Sequence, residues 1–338
     1  MGKQPMHNRA RNRVRYVFGP VPSRRLGVSL GLDLAPPKTC TLDCLYCEVG
    51  RTTHKTLDRF SLNMAGDLLD ELAAALPEVE HRLDVITLAG SGEPTLNAEI
   101  GDIIRGVKKL TPVRLCVLTN GTLLFRDDVR RDLAEADLVI PSLDTALEET
   151  FQRLNRPHPD LDLNRIIDGL KLFRREFKGE FRLEILFSAG INDTPDELAA
   201  LKRVIDILQP DDIQLNTVYR LPAYENALAV SAEDLDRIAR YLGPEAMPVG
   251  SFHGNGKTSG HKDLASDVIK LLQRRPCTLN DVAAALGLET DQAENTLKDL
   301  MKNGFIRIAG HGDQSFFHAR NDDEKGTDSQ FPEIKEMS

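Results

Sequence analysis

Between residues 26 and 245 the chain alternates short β-branched runs with longer stretches whose apolar residues recur every three or four positions. The short runs predict strands at VSLGLDL (28–34), DVITLAG (84–90), VRLCVLTNG (113–121), DLVIPSLD (137–144), FRLEILFSA (181–189) and DDIQLNTVY (211–219). The stretches between them predict amphipathic helices. In LNMAGDLLDELAAAL (62–76), Leu68, Leu69, Leu72, Ala75 and Leu76 share one face. In DTPDELAALKRVIDIL (193–208), Thr194 is the expected N-cap, Pro195 the first helical residue and Glu197 the capping-box partner. Strand–helix alternation implies a parallel sheet with right-handed crossovers. Six such units are too few for a closed eight-stranded barrel. The expected fold is α/β, an open partial (βα)6 TIM-like barrel over residues 16–250, reached from the side by a large substrate.

The pattern changes after residue 250. SFHGNGKTSGHKD has no apolar period and reads as a linker, placed at 251–262. LASDVIKLLQRR, TLNDVAAALG and DQAENTLKDLMKNG then predict three helices, and FIRIAGHGDQSFFHA a two-stranded wing. That order is the one of a small C-terminal winged helix-turn-helix domain, over 263–320. Residues 321–338 are polar and predicted disordered. Residues 1–15 carry Lys3, Arg9, Arg11, Arg13 and Arg15 with no acid, a basic flexible arm that is either solvated or in contact with phosphates.

Composition narrows the class. With 41% hydrophobic and 28% charged residues in 338, the chain reads as an ordinary globular protein. It has no apolar run of about eighteen residues, which excludes a membrane helix, and no apolar core behind the basic start, which excludes a secretory signal. Five cysteines, three of them in one loop, fit a reducing cytosol, so the expected location is cytoplasmic. A net charge of −9 argues against general adhesion to nucleic acid. Cys116, in a predicted strand, and Cys277, at a helix boundary, read as buried inert thiols.

The chemistry concentrates in TCTLDCLYCEVG. Cys40, Cys44 and Cys47, spaced C-x3-C-x2-C, supply three thiolates, whereas a cubane iron–sulfur cluster has about four irons and a structural zinc site about four ligands. The nearest imidazole, His54, is seven residues past Cys47. The triad reads either as a zinc loop or as a cluster with one iron left open for a substrate. A strand that runs directly into this loop puts it at the C-terminal mouth of the barrel, where active sites of such folds sit. AGSGEPT (89–95) ends the second strand, with Gly92 and Pro94 either side of Glu93 shaping a turn. LTNGT places Asn120 at the third strand end, either as a simple βα turn or toward the site. Ser142 and Asp144 end the fourth, facing the mouth or capping the next helix. Glu184, among apolar neighbours in the fifth strand, needs a partner. Asn216 in the sixth is either a satisfied core amide or a reader of a base. Arg24, Arg25, Arg51 and Arg220 read together as a positive rim for an anionic substrate or a bound carboxylate, or singly as solvated or ion-paired side chains.

The cysteine triad with Tyr46 resembles the signature of the radical S-adenosylmethionine (SAM) enzymes, C-x3-C-x-aromatic-C, and matches it at every defined position. The resemblance implies a barrel of the radical SAM type and a [4Fe–4S] cluster on Cys40, Cys44 and Cys47. It further implies SAM held by Gly92, Glu93 and Pro94 through its methionine amino group, with Tyr46 beside the adenine unless it is a plain core aromatic. Ser142 and Asp144 would meet the ribose and Asn216 the adenine. Asn120 belongs to the same candidate set, and Glu184 is either a SAM contact or a salt-bridge member. Asn155-Arg156-Pro157 matches a family pattern in which Arg156 reaches the SAM carboxylate. The expected reaction is reductive cleavage of SAM to a 5′-deoxyadenosyl radical that abstracts hydrogen from a macromolecular substrate, RNA or protein. The expected electron donor is a flavodoxin or ferredoxin.

The lead-in GPVPSRRLG and the KTC-xxx-C-x-Y-C loop resemble a branch distantly similar to the wybutosine-synthesising tRNA enzymes. Those enzymes need further cysteines for a second cluster, which this sequence does not supply, so their substrate is not transferred. The rival reading is a DNA-binding regulator that senses iron, SAM or redox state. Against it, residues 289–303, the candidate recognition helix, hold four acids and two lysines, and phosphates would repel them.

Overall fold

The computed structural model describes residues 16–249, 264–274, 276–311 and 314–320. The arm at 1–15, the linker at 251–262 and the tail at 321–338 lie outside the described residues. The elements run β1 (Val17–Ser23), β2 (Gly27–Asp33), β3 (Thr39–Cys40), β4 (His54–Lys55), α1 (Ala65–Val79), β5 (Val85–Ala89), α2 (Ile100–Leu110), β6 (Leu115–Thr119), α3 (Asp127–Leu133) and β7 (Leu138–Pro141). They continue with α4 (Glu148–Thr150), α5 (Leu163–Glu176), β8 (Glu180–Phe187), α6 (Pro195–Leu208), β9 (Asp212–Thr217), α7 (Ala232–Leu242) and β10 (Ala246–Pro248).

Eight strands form one sheet in the order β1-β2-β5-β6-β7-β8-β9-β10. All neighbours pair in parallel except β1 with β2. The six expected strands are β2, β5, β6, β7, β8 and β9, in chain order around the barrel. β1 and β10 are the sheet's two edges, so the barrel stays open between them. β1 was not expected as a strand because Pro20 and Pro22 break its pattern; an edge position tolerates the missing donors.

The alternation in β8 shows how the barrel is filled. Phe181, Leu183, Ile185 and Phe187 are buried, while Glu180, Arg182, Glu184 and Leu186 alternate with them on the other face. The buried set joins the main core under the helices, with Leu198, Leu201 and Ile205 of α6. A second cluster, Val85, Cys116, Leu138 and Ile140, takes in Leu26 from the β1–β2 turn. Val85 and Leu138 start their strands, so Leu26 plugs the N-terminal end of the barrel. Cys116 is fully buried in this plug, and burial pushes its thiol up to about 12.

Beyond the linker come α8 (Leu264–Arg274), α9 (Leu279–Leu286), α10 (Thr290–Lys302) and the antiparallel pair β11 (Ile306–His311) and β12 (Gln314–Ala319). Thr278 and Asp281 form a reciprocal capping box on α9. These elements enclose their own core around Val268, Val282, Leu297 and Ile306, against which Val21 of β1 packs. No helix among the described residues is long and apolar enough to cross a membrane.

Candidate active site

β2 ends at Asp33, and the chain then turns through the cysteine loop, which is pinned from several sides. Asp43 N–H donates to Asn155 O (3.0 Å), Leu45 N–H to Leu154 O (2.9 Å) and Thr56 N–H to Cys40 O (3.0 Å). Asp43 accepts from Thr52 N–H (2.9 Å) and from the Tyr224 hydroxyl (2.7 Å). Cys40, Cys44 and Cys47 are free thiols that face one cavity of about 320 Å³.

That cavity is the place where the expected site residues meet. Its lining includes Tyr46, Gly92, Glu93, Pro94, Asn120, Ser142, Asp144 and Glu184. Gly92 has no room for a side chain: a Cβ there would lie 2.1 Å from Thr39 O. Glu93 is buried, and its carboxylate accepts from Thr95 N–H (3.0 Å), Thr95 Oγ1 (2.6 Å), Thr119 Oγ1 (2.6 Å) and Asn120 N–H (2.8 Å). Burial raises its pKa more than these donors lower it. The Glu93 side chain therefore braces its turn against the end of β6, and ligand-facing groups must come from the turn's backbone.

Asn120 donates to Thr41 Oγ1 (2.8 Å) and to Cys40 Sγ (3.4 Å). Asn155 does the same on the other side, donating to Asp144 Oδ2 (2.7 Å) and to Cys44 Sγ (3.5 Å). Phe151–Asn155 wind as a π-helical turn, which ends at Arg156 in the left-handed region with φ 46°. Asp144 also accepts from the Tyr46 hydroxyl and from Leu186 N–H (2.9 Å). Burial pushes its carboxyl up to about 6. In the sequence Asn155 is only one letter of the Asn-Arg-Pro motif; its place between Asp144 and Cys44 depends on a contact between residues far apart in the chain.

The structure sends other groups elsewhere. Arg156 and Asn216 are not in the lining of the cavity. Arg156 pairs with Asp43 (3.2 Å) and stacks on the Tyr224 ring. Asn216 donates to Glu184 Oε1 (3.2 Å), and Glu184 forms an ion pair with Arg25. Glu184 is thus a salt-bridge member that also faces the cavity.

Of the two readings of the arginines, the structure favours ion-paired or solvated side chains over a shared rim. Arg25 enters the barrel from the plugged end, Arg24 stacks on Tyr219 at 4.5 Å, and Arg220 is buried between Glu48 (2.9 Å) and Asp281 of α9 (3.6 Å). Of the four, only Arg51 stays exposed. The β1–β2 turn and the loop after β9 have long-range partners that no local pattern announces.

A family model described as the radical SAM superfamily matches residues 35–205, half of the chain. The sequence is 35% identical over 298 residues to a protein named GTPase Obg of Brachyspira hyodysenteriae, covering 87% of this chain but only 44% of that protein. It is 32% identical over 244 residues to a UPF0026 protein of Methanocaldococcus jannaschii, covering 70% of this chain and 76% of that one. The fold is similar to that of a radical SAM methyltransferase from Sphaerobacter thermophilus, with TM-score 0.52 and 21% identity over 65% of each chain.

Enzymes of this superfamily use a [4Fe–4S] cluster and SAM. The donor set here fits such a cluster. A cluster offers a separate iron to each thiolate, and soft sulfur ligands suit it. Burial pushes the Cys40 thiol up to about 12 and raises Cys44 and Cys47. Bound metal offsets that penalty, because a coordinating thiol is deprotonated outright. The chain belongs to the radical SAM superfamily and, within it, to the UPF0026 proteins.

Proposed function

We propose that this enzyme holds its cluster on Cys40, Cys44 and Cys47, binds SAM in the adjoining cavity, and cleaves it reductively to abstract hydrogen from a macromolecular substrate, RNA or protein. The observation that carries this reading is convergence: the three cysteines, Gly92-Glu93-Pro94, Asn120 and Asp144 line one cavity although they come from separate βα loops. A cluster held there would supply the one electron of reductive cleavage, taken from the external reductant, with methionine as the leaving group.

The chain's own residues do the positioning. Asn120 and Asn155 direct amide donors at two of the sulfurs, an arrangement that favours thiolate over thiol. Gly92 lets its turn lie directly against Thr39 of the cysteine loop. That brings the turn's backbone groups to the cavity beside the cysteines, where they can meet the methionine end of SAM. Asp144 and Ser142 stand at the end of β7 to accept from ribose hydroxyls, with Tyr46 fixed beside them by its bond to Asp144. Asn216 and Arg156 act through neighbours, the first by orienting Glu184 and the second by fixing Asp43.

We assign residues 16–250 to the catalytic unit and 263–320 to a winged-helix unit that docks substrate, with a flavodoxin or ferredoxin as electron donor. After anaerobic reconstitution the protein should hold about four iron and four sulfide per chain. With dithionite and SAM it should yield 5′-deoxyadenosine, and Cys44→Ala should yield none. Failure to take up iron and sulfide overturns the reading.

A further inference from the structure

Four cations lie along the cysteine loop, one of them lining the cavity, and among the described residues three have no carboxylate partner. Lys38 lines the cavity, and its Nζ stands 3.6 Å from the Cβ position of Gly50. Arg51 follows Gly50, is exposed, and stacks on the Tyr224 ring at 4.4 Å. Arg156 stacks on the same ring at 4.5 Å. Lys55 is exposed, pairs across from Cys40, and donates only to Arg156 O (2.8 Å) and Pro157 O (3.2 Å). These contacts join the four side chains into one continuous rim. Among the described residues no carboxylate stands within ion-pair distance of Lys38, Arg51 or Lys55, and Arg156 shares the buried Asp43. Glu48, the other acid of the cysteine loop, is taken by Arg220.

A chain of net charge −9 that keeps a cationic rim beside its cysteine loop is arranged to select an anion. Four charges along one rim ask for a repeat of anions. A phosphodiester strand supplies that repeat whatever its sequence, whereas a peptide supplies it only by special composition. The two guanidinium groups, held over the Tyr224 ring, present planar donor forks that match phosphate oxygens. We infer that the rim of Lys38, Arg51, Lys55 and Arg156 docks the phosphodiester backbone of a single-stranded nucleic acid and feeds one of its nucleotides to the cavity. The inference rests on the proposed SAM reaction for what happens to that nucleotide, but not for the docking itself.

The test is a binding titration of the anaerobically reconstituted full-length protein, without SAM or reductant. The probes are a fluorescein-labelled single-stranded RNA and a labelled Asp/Glu-rich peptide of matched charge, at rising KCl. Four neutralised phosphates predict a slope near −3 in log K against log salt, roughly 0.7 for each. Arg51→Gln and Lys55→Gln should each flatten the slope by about 0.7, and Arg51→Lys should restore it. Lys202→Gln, which removes a cation on α6, should leave it unchanged. Absence of RNA binding at low salt, equal affinity for the peptide, or an unchanged slope in both glutamine variants overturns the inference. A protein that cleaves SAM but ignores the strand refutes the docking alone. One that binds the strand with this slope and gives no 5′-deoxyadenosine refutes the reaction alone.

Discussion

Asn155 is where the cysteine loop and the end of β7 are tied together: its amide serves Asp144 and Cys44, and its carbonyl accepts from Asp43 N–H. Asn155→Ala leaves a buried carboxylate one donor short, which should cost about 1–3 kcal/mol in urea unfolding. Gly92→Ala acts by volume, since its Cβ would collide with Thr39 O and push the cysteine loop outward. We expect iron retained after reconstitution to fall well below about four per chain, read by iron and sulfide assay. At this scale the sequence spoke clearly where a residue's type and spacing define its chemistry, as for the cysteines and Gly92. It was silent where meaning comes from a distant partner. Glu184 needed a partner, but nothing in the fifth strand named Arg25, which arrives from the opposite end of the barrel.

Helix ends tell a similar story among the elements. The N-terminus of α1 has no side-chain cap of its own. The Glu99 carboxylate, at the start of α2, supplies one from a distance, accepting from Asn63 N–H (2.6 Å), Met64 N–H (3.0 Å), Ala65 N–H (2.9 Å) and Ser61 Oγ (2.5 Å). Burial alone would raise the Glu99 pKa, but these donors outweigh it and hold the group below the usual carboxylate range. A depressed folded-state pKa contributes stability above the unfolded value, near 4.3, that is lost as pH falls through the folded one. Glu99→Gln should therefore cost about 1–2 kcal/mol at neutral pH. The gap between variant and wild type should close as urea titrations are repeated at falling acidic pH. On α6 the Thr194 cap forms as expected, while Glu197 leaves the capping box to accept from Thr145 Oγ1 (2.5 Å). The six parallel strands were legible because each has its own apolar run; β1 and β10 were not, being short or proline-broken edges that borrow their pairing from a neighbour.

Across the whole molecule, Arg220 is the strut between the two cores. It reaches Glu48 beside Cys47 and Asp281 on α9, while Val21 of β1 seals against the C-terminal helices. These anionic partners outweigh the cost of burial and raise the guanidinium's pKa further. Arg220→Met removes the buried cation shared by Glu48 and Asp281 and should cost about 3 kcal/mol. Calorimetry should then resolve two transitions where the wild type shows one. The other end of the barrel carries a different consequence. Among the described residues, Leu26 packs with Val85, Cys116 and Leu138 and closes that end of the barrel to ligands. On the proposed reading, a cosubstrate seated in the cavity and a strand lying on the rim both use the cysteine-loop end, and the deeper guest arrives first. Steady-state kinetics should be ordered, with SAM leading, the strand second, and 5′-deoxyadenosine trapped until the strand has let go.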